Sequence, residues 1–266
     1  MTTDIEWEKW GARDPYFSVL THPKFRTAAL TDEAKEEFFA LGRWHVDHVL
    51  GVCRAQFYPT FSPQRVLDFG CGVGRLVLPF AQVAAEVVGV DVSASMLAEA
   101  RRNCDQAQLG NVELVIGDDD LSAVDGDFDL VHTWIVIQHI EVARGIKLFE
   151  RLVARVRPGG VGALHVTFAW DAFAESHGVR PFPPPAPTVE PWWTAARRWV
   201  TGLVRGPTPE VDELPADADP EMQMNFYNLS QLMFILQRAG TGMVHCELTD
   251  HSGAIGALMY FRKPVA

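Results

Sequence analysis

The stretch Val66-Leu67-Asp68-Phe69-Gly70-Cys71-Gly72-Val73-Gly74-Arg75-Leu76 carries the densest chemical information in the chain. An apolar run feeds glycines at alternate positions, and a helical pattern follows. Glycines at such a junction let the backbone turn sharply and approach a ligand closely. Dinucleotides use similar turns, but a dinucleotide fingerprint wants its third glycine where this chain has Arg75. Asp68 adds a carboxylate on the strand itself, which repels a pyrophosphate and welcomes a cationic amino-acid ligand.

Further acids follow at the ends of later apolar runs. Val87-Val88-Gly89-Val90 ends at Asp91, which can accept hydrogen bonds from both hydroxyls of a ribose. Gly117 leads into Asp118, Asp119 and Asp120, where an acid can bond an adenine amino group. Phe128-Asp129-Leu130-Val131 then runs into the segment His132 to Ile140. His139 in that segment has a side chain whose ordinary pKa suits a general base near neutrality. His165 sits inside a strand pattern and reads as a core residue. His45 and His48, three apart on a helix without neighbouring carboxylates, read as surface residues rather than a metal pair.

The elements that must hold these residues alternate. Strands are predicted at Val66–Phe69, Val87–Val90, Val112–Ile116, Phe128–Thr133 and Gly162–Phe168, with helices between, such as Ser95–Asn103 and Ala143–Val156. Arg157-Pro158-Gly159-Gly160 reads as a helix stop and turn. This alternation argues for an α/β fold with a parallel sheet covered on both faces. Residues 1–62 read as a helical cap, with Thr31 capping a helix whose apolar stripe runs Phe39, Val46, Val49, Leu50, Cys53 and Phe57. Near the end, Asn228 or Ser230 caps a helix Leu229–Arg238, and Met243–Leu248 and Ile255–Phe261 form two strands around Asp250-His251-Ser252-Gly253. Residues 171–222 break the rhythm with 10 of the 17 prolines, Trp192, Trp193, Trp199 and Leu203, and an acidic run from Glu210 to Glu221. They read as an insertion forming an acceptor-side lid. The core domain is then 63–170 with 223–266.

The whole chain has 266 residues with 34 acidic and 23 basic side chains, a net charge of −11. Such a balance disfavours a nucleic-acid partner. Cys53, Cys71, Cys104 and Cys246 lack zinc-ligand spacing and read as free thiols of a reducing cytoplasm. The first ten residues show no basic-then-apolar signal pattern, and no run is apolar enough to span a membrane.

Taken jointly, the glycine loop, Asp91, the acids at 118–120 and the Phe128–Ile140 segment resemble the class I S-adenosylmethionine-dependent methyltransferases, over roughly residues 40–170 and 225–262. A milder resemblance extends to Asp14-Pro15-Tyr16-Phe17-Ser18-Val19-Leu20-Thr21 and Phe39 to Val46, which look like a lead-in of bacterial small-molecule methyltransferases that folds over the cofactor. The resemblance implies a Rossmann-like seven-stranded sheet whose last strand is antiparallel. It implies a cofactor site with Asp68, Gly70 and Gly72 at the methionine end, Asp91 at the ribose, and Cys71 and Arg75 among the cofactor-binding residues. Val92 and Met96 would flank the adenine, Asp118 and Asp119 would sit at its edge, and Trp134 would border the cofactor. The cofactor is then S-adenosylmethionine, with S-adenosylhomocysteine as product; no metal is predicted, with magnesium the ion to test.

The segment Thr133-Trp134-Ile135-Val136 lacks the Asn/Asp-Pro-Pro-Tyr/Phe pattern of enzymes that methylate base or glutamine amino groups. The expected acceptor is therefore a small molecule, a sugar, glycolipid precursor or natural-product intermediate, methylated on a hydroxyl with His139 as the catalytic residue. The alternatives are an N- or C-methyltransferase of a small metabolite and a non-catalytic cofactor-binding module. A nicotinamide oxidoreductase ranks behind them because of Arg75 and Asp68, and an aminopropyl transferase because the lead-in looks helical.

Overall fold

A computed structural model describes residues 3–170 and 219–265. The chain opens with α1 (Thr3–Arg13), α2 (Pro15–Val19) and α3 (Asp32–Gln56). The central elements are β1 (Arg65–Phe69), α4 (Val77–Ala81), β2 (Glu86–Asp91), α5 (Ala94–Gln106), β3 (Val112–Ile116), β4 (Phe128–Thr133), α6 (Val142–Arg155) and β5 (Val156–Trp170). A helix α7 (Leu229–Arg238) and the hairpin β6 (Val244–His251) and β7 (Ala254–Arg262) follow.

The seven strands form one sheet in the order β3-β2-β1-β4-β5-β7-β6. The first five are parallel, and β7 runs antiparallel to both β5 and β6. Strand order reverses between β1 and β4, the switch point where α/β sheets open a crevice at their carboxyl ends. This is the Rossmann-like methyltransferase architecture that the resemblance implies.

The central strands of the sheet are buried on both faces. One face carries Leu67, Val131, Leu164 and Met259 against Phe149 and Leu152 of α6 and Leu232 and Leu236 of α7. The other carries Val66, Leu130, Ala163 and Tyr260 against Val46, Val49, Leu50 and Cys53 of α3 and Phe80 of α4. A third cluster, formed by Trp10, Tyr16, Phe17, Phe25, Phe38, Val73 and Met96, ties the amino-terminal helices to α5. Among the described residues no helix is long and apolar enough to cross a membrane.

Local chemistry explains the boundaries. Thr31 Oγ1 accepts from Ala34 N, with Asp32 and Glu33 in the first turn of α3. Asn228 accepts from Ser230 N and caps α7. Two expectations are corrected. Phe38, not Phe39, is the fully buried aromatic of α3, because the Tyr16 and Phe25 rings pack on it at 5.1 and 5.4 Å. Arg157-Pro158-Gly159-Gly160 is not a free turn but the bulged start of β5. The ladder to β4 begins at Phe128↔Val156 and shifts before Leu130↔Val161, with Gly159 at φ +73° absorbing the irregularity.

Candidate functional site

A cavity of about 700 Å³ opens at the carboxyl ends of β1, β2 and β4, within the range of about 300–1,000 Å³ typical of small-molecule sites. Its first wall is the glycine loop. Gly70 has φ +73°, and a Cβ there would stand 2.3 Å from Val136 Cγ2. Only glycine lets this loop close against the segment after β4. Gly70 N and Cys71 N both donate to Val90 O, which fixes the loop to the end of β2.

Asp91 ends β2 and lines the cavity half-buried. Its carboxylate accepts from Gly72 N at 2.8 Å and Ser93 N at 2.9 Å. Burial pushes its pKa up to about 6 despite these bonds. Val92 and Met96 line the wall beside it, as does Arg75. Arg75 is 6% exposed, and its Nε has no hydrogen-bond partner among the described residues. Burial lowers its pKa to about 10, with the Asp68 charge opposing, so it stays cationic at neutral pH.

Asp118 and Asp119 line the same cavity at the end of β3. Asp118 accepts from Asp120 N, Ser122 N and Ser122 Oγ, which holds its pKa low. Asp119 binds Arg144 through two contacts of 2.7 and 2.8 Å, and Arg144 also reaches Asp4 of α1 at 3.2 Å. Asp120 pairs with the exposed Arg151. The three-aspartate run is thus partly neutralised by two arginines of α6. Neither Arg144 nor the α1 residues Asp4 and Trp7 stood out in the sequence, since a helical charge looks the same whether it faces solvent or a neighbouring loop.

Asp68 and Cys71 stand behind the wall and do not line the cavity. In-register pairing places Asp68 opposite His132 of β4, and His132 Nδ1 lies 2.8 Å from Asp68 Oδ1. Cys71 is buried, and loss of solvation raises its thiol pKa well above the ordinary value.

His139 lines the cavity 8% exposed. Its Nδ1 is 2.7 Å from Gln223 O; a carbonyl only accepts, so Nδ1 carries the proton and Nε2 is the ring's acceptor. Burial lowers its pKa. Trp7 packs edge-on against it at 4.9 Å, and Thr3 Oγ1 donates to its carbonyl.

Trp134 lines the opposite end, over β4, β5 and the β6–β7 hairpin. It packs on His45 at 4.4 Å, His165 at 4.7 Å and His251 at 5.5 Å. This corrects the surface reading of His45, which is 4% exposed with its Nε2 3.1 Å from His132 Nε2. His48 is exposed and meets Glu247. His165 is fully buried as expected; its Nε2 pairs with Thr249 Oγ1, while Nδ1 has no partner among the described residues. No group of three or more metal-ligating side chains occurs among the described residues. Residues 171–218 of the proposed lid lie outside the described residues, while Met222 and Met224 line the cavity.

Residues 66–160, which hold the glycine loop, Asp91 and the acids after β3, match a methyltransferase domain family. That stretch of the chain is similar to a methyltransferase domain and lies within the seven-stranded sheet. A ubiquinone biosynthesis O-methyltransferase of Nitrobacter winogradskyi is 35% identical over 112 residues, 41% of each chain. An uncharacterised methyltransferase of Synechocystis is 36% identical over 103 residues, 38% of this chain and 46% of its own. The methyltransferase fold extends further than these stretches. Magnesium protoporphyrin IX methyltransferase from Synechocystis, solved with bound S-adenosylmethionine, superposes with a TM-score of 0.56 at 16% identity over 99% of this chain and 98% of its own. The N-methyltransferase NodS of Bradyrhizobium japonicum, solved with S-adenosylhomocysteine, gives 0.55 at 15% identity over 99% and 100%. The chain spans roughly half the length of the curated relatives it matches, from 41% to 59%.

Proposed function

We propose that this methyltransferase moves a methyl group from S-adenosylmethionine to a small-molecule acceptor, with a hydroxyl oxygen as the favoured target. The observation that carries the cofactor reading is Asp91. Gly72 N and Ser93 N occupy two of about four acceptor positions of its carboxylate. The others suit the two hydroxyls of a ribose. Two further features fit the same ligand. Arg75 offers a buried cation, its Nε without a partner among the described residues, to the carboxylate of the methionine end, and Gly70 and Gly72 line the cavity with backbone alone.

When bound, the cofactor supplies an electrophilic methyl on a sulfonium whose leaving group is neutral. The protein's residues then have to orient and to manage one proton. Asp91 holds the ribose, Val92 and Met96 flank the adenine, and Asp118 and Asp119 stand at its edge. Asp68 acts one layer back, through His132. His139, with Nδ1 committed to Gln223 O, presents Nε2 to take the proton of the acceptor hydroxyl. The O-methyltransferases among the curated relatives support oxygen as the target. The acidic balance and unpaired cysteines support a cytoplasmic reaction on a small molecule rather than a nucleic acid.

Calorimetry with S-adenosylhomocysteine and with NADH tests the cofactor reading. Micromolar binding of the first and none of the second is expected; binding of NADH alone would overturn it. Labelled methyl transfer to a panel of hydroxylated metabolites then separates an enzyme from a cofactor-binding module.

A further inference from the structure

Beside the cavity, residues 223–227 run along the turn that carries His139, and every second residue bonds to it. His139 Nδ1 lies 2.7 Å from Gln223 O. Asn225 donates twice to Gln138 O, from its N at 2.7 Å and its Nδ2 at 3.1 Å. The Tyr227 hydroxyl lies 2.9 Å from Ile137 O and 2.7 Å from Ile140 O and shares its one proton between the two carbonyls. Those carbonyls bracket the 3-10 turn Ile137–His139, so one hydroxyl pins both of its ends. Burial raises the phenol pKa above its ordinary value, and the Glu141 charge adds to this, so the hydroxyl remains a donor at neutral pH. The strap is itself tied to β5. Tyr227 N donates to Thr167 O at 2.8 Å, and Thr167 Oγ1 donates to Asn225 O at 2.7 Å.

The surroundings, rather than the turn itself, hold this segment. Ile135, a β-branched residue, enters the turn at φ +57°, in the left-handed region that such side chains avoid. Gly145 of α6 faces Tyr227, and a Cβ there would stand 1.9 Å from the hydroxyl oxygen. A glycine inside a helix thus keeps the space that the hydroxyl fills. We infer that residues 223–227 are a strap that sets the tautomer and orientation of His139, with Asn225 and Tyr227 as positioning residues for methyl transfer. This rests on the reading of His139 as the proton acceptor and adds what aims it. A free imidazole places its proton mainly on Nε2. Here the Gln223 carbonyl claims Nδ1–H, and Nε2 is left to accept. The carbonyl does so while the turn and the strap stay in register, and that register depends on Asn225 and Tyr227. Nothing local in the sequence joins the two segments, whose bonded residues stand 84 to 90 positions apart.

The test labels the histidine ring nitrogens of the full chain and reads the His139 tautomer by NMR, its signals identified with His139→Gln. The unaltered chain is expected to show a protonated Nδ1 and a bare Nε2. In Tyr227→Phe the Nε2-protonated form should rise by about twofold to tenfold, the scale of one lost hydrogen bond. Gly145→Ala should act in the same direction by displacing the hydroxyl, although alanine ordinarily suits a helix better than glycine. Asn225→Ala, which keeps the backbone bond, should give a smaller shift of the same sign. Thr31→Ala, which removes only the cap of α3, should leave the tautomer in place. The proposal is overturned if the three strap variants lose urea stability while His139 stays wholly Nδ1-protonated, because Tyr227 and Asn225 then only fill space. It is equally overturned if the unaltered chain carries the proton on Nε2, or if Thr31→Ala shifts the tautomer as far as Tyr227→Phe. The proton-accepting role of His139 is read separately, by the pH dependence of kcat. A flat profile would remove that role and leave the tautomer results as they stand.

Discussion

Asp91 sets a pH dependence that can be measured. Its folded pKa of about 6 lies above the ordinary value of an aspartate because the carboxyl is buried. The sign follows from linkage. A raised carboxyl pKa stabilises the ligand-free fold most at low pH, and that contribution is lost as pH rises through about 6. A ribose needs the ionised carboxylate as acceptor, so affinity for S-adenosylhomocysteine should fall by up to about tenfold per pH unit below 6. Titration calorimetry from pH 5 to 8 should show this slope in the wild type and a flat, weak response in Asp91→Ala. Arg75→Met should weaken the same ligand by roughly 10- to 100-fold, the scale of a lost charge-assisted hydrogen bond. His139 carries a third prediction. Burial lowers its pKa, so the acid limb of kcat should lie below pH 6.5 and disappear in His139→Gln, whose residual rate should be lower by about 100-fold or more.

Among the elements, α1 and α3 are those whose placement matters most for the site. Glu8 of α1 accepts from Ser93 and Ser95, Asp4 meets Arg144, and Thr3 bonds the carbonyl of His139. These bonds lay α1 beside Val92 and His139 at the cavity mouth. Arg144→Ala should therefore release α1, seen as faster amino-terminal proteolysis that S-adenosylhomocysteine no longer suppresses. For α3, Thr31→Ala removes the cap bond to Ala34 N and should cost about 1 kcal/mol in urea unfolding. The elements differ in how openly the sequence announces them. Val112–Ile116, Phe128–Thr133 and Leu229–Arg238 have bounds that coincide with the predicted ones, because apolar runs ended by turn residues or caps are local signals. Spacing alone does not single out Phe38 over Phe39 on α3, since the two are equally apolar and the cluster around Tyr16 and Phe25 buries the first fully and the second in part.

For the whole molecule, the sheet is held between two apolar layers, and Phe149 is a fully buried anchor of the layer beneath α6. Phe149→Ala should destabilise the fold by about 3–5 kcal/mol in urea denaturation, whereas saturating S-adenosylhomocysteine at about 100 times its Kd should add about 2.7 kcal/mol. By itself the sequence determined the strand–helix alternation, the glycine turn and the acids after β2 and β3. Each of these depends on neighbours within a few residues, through backbone freedom, periodicity or capping. Tertiary structure alone decided that Asp68 bonds His132 rather than the cavity, and that Asp119 is clamped by Arg144. It also decided that His45, Trp134, His165 and His251 pack into one cluster. Those pairings join residues 25 to more than 100 positions apart, and they exist because parallel β-strands in a shuffled order set distant residues side by side.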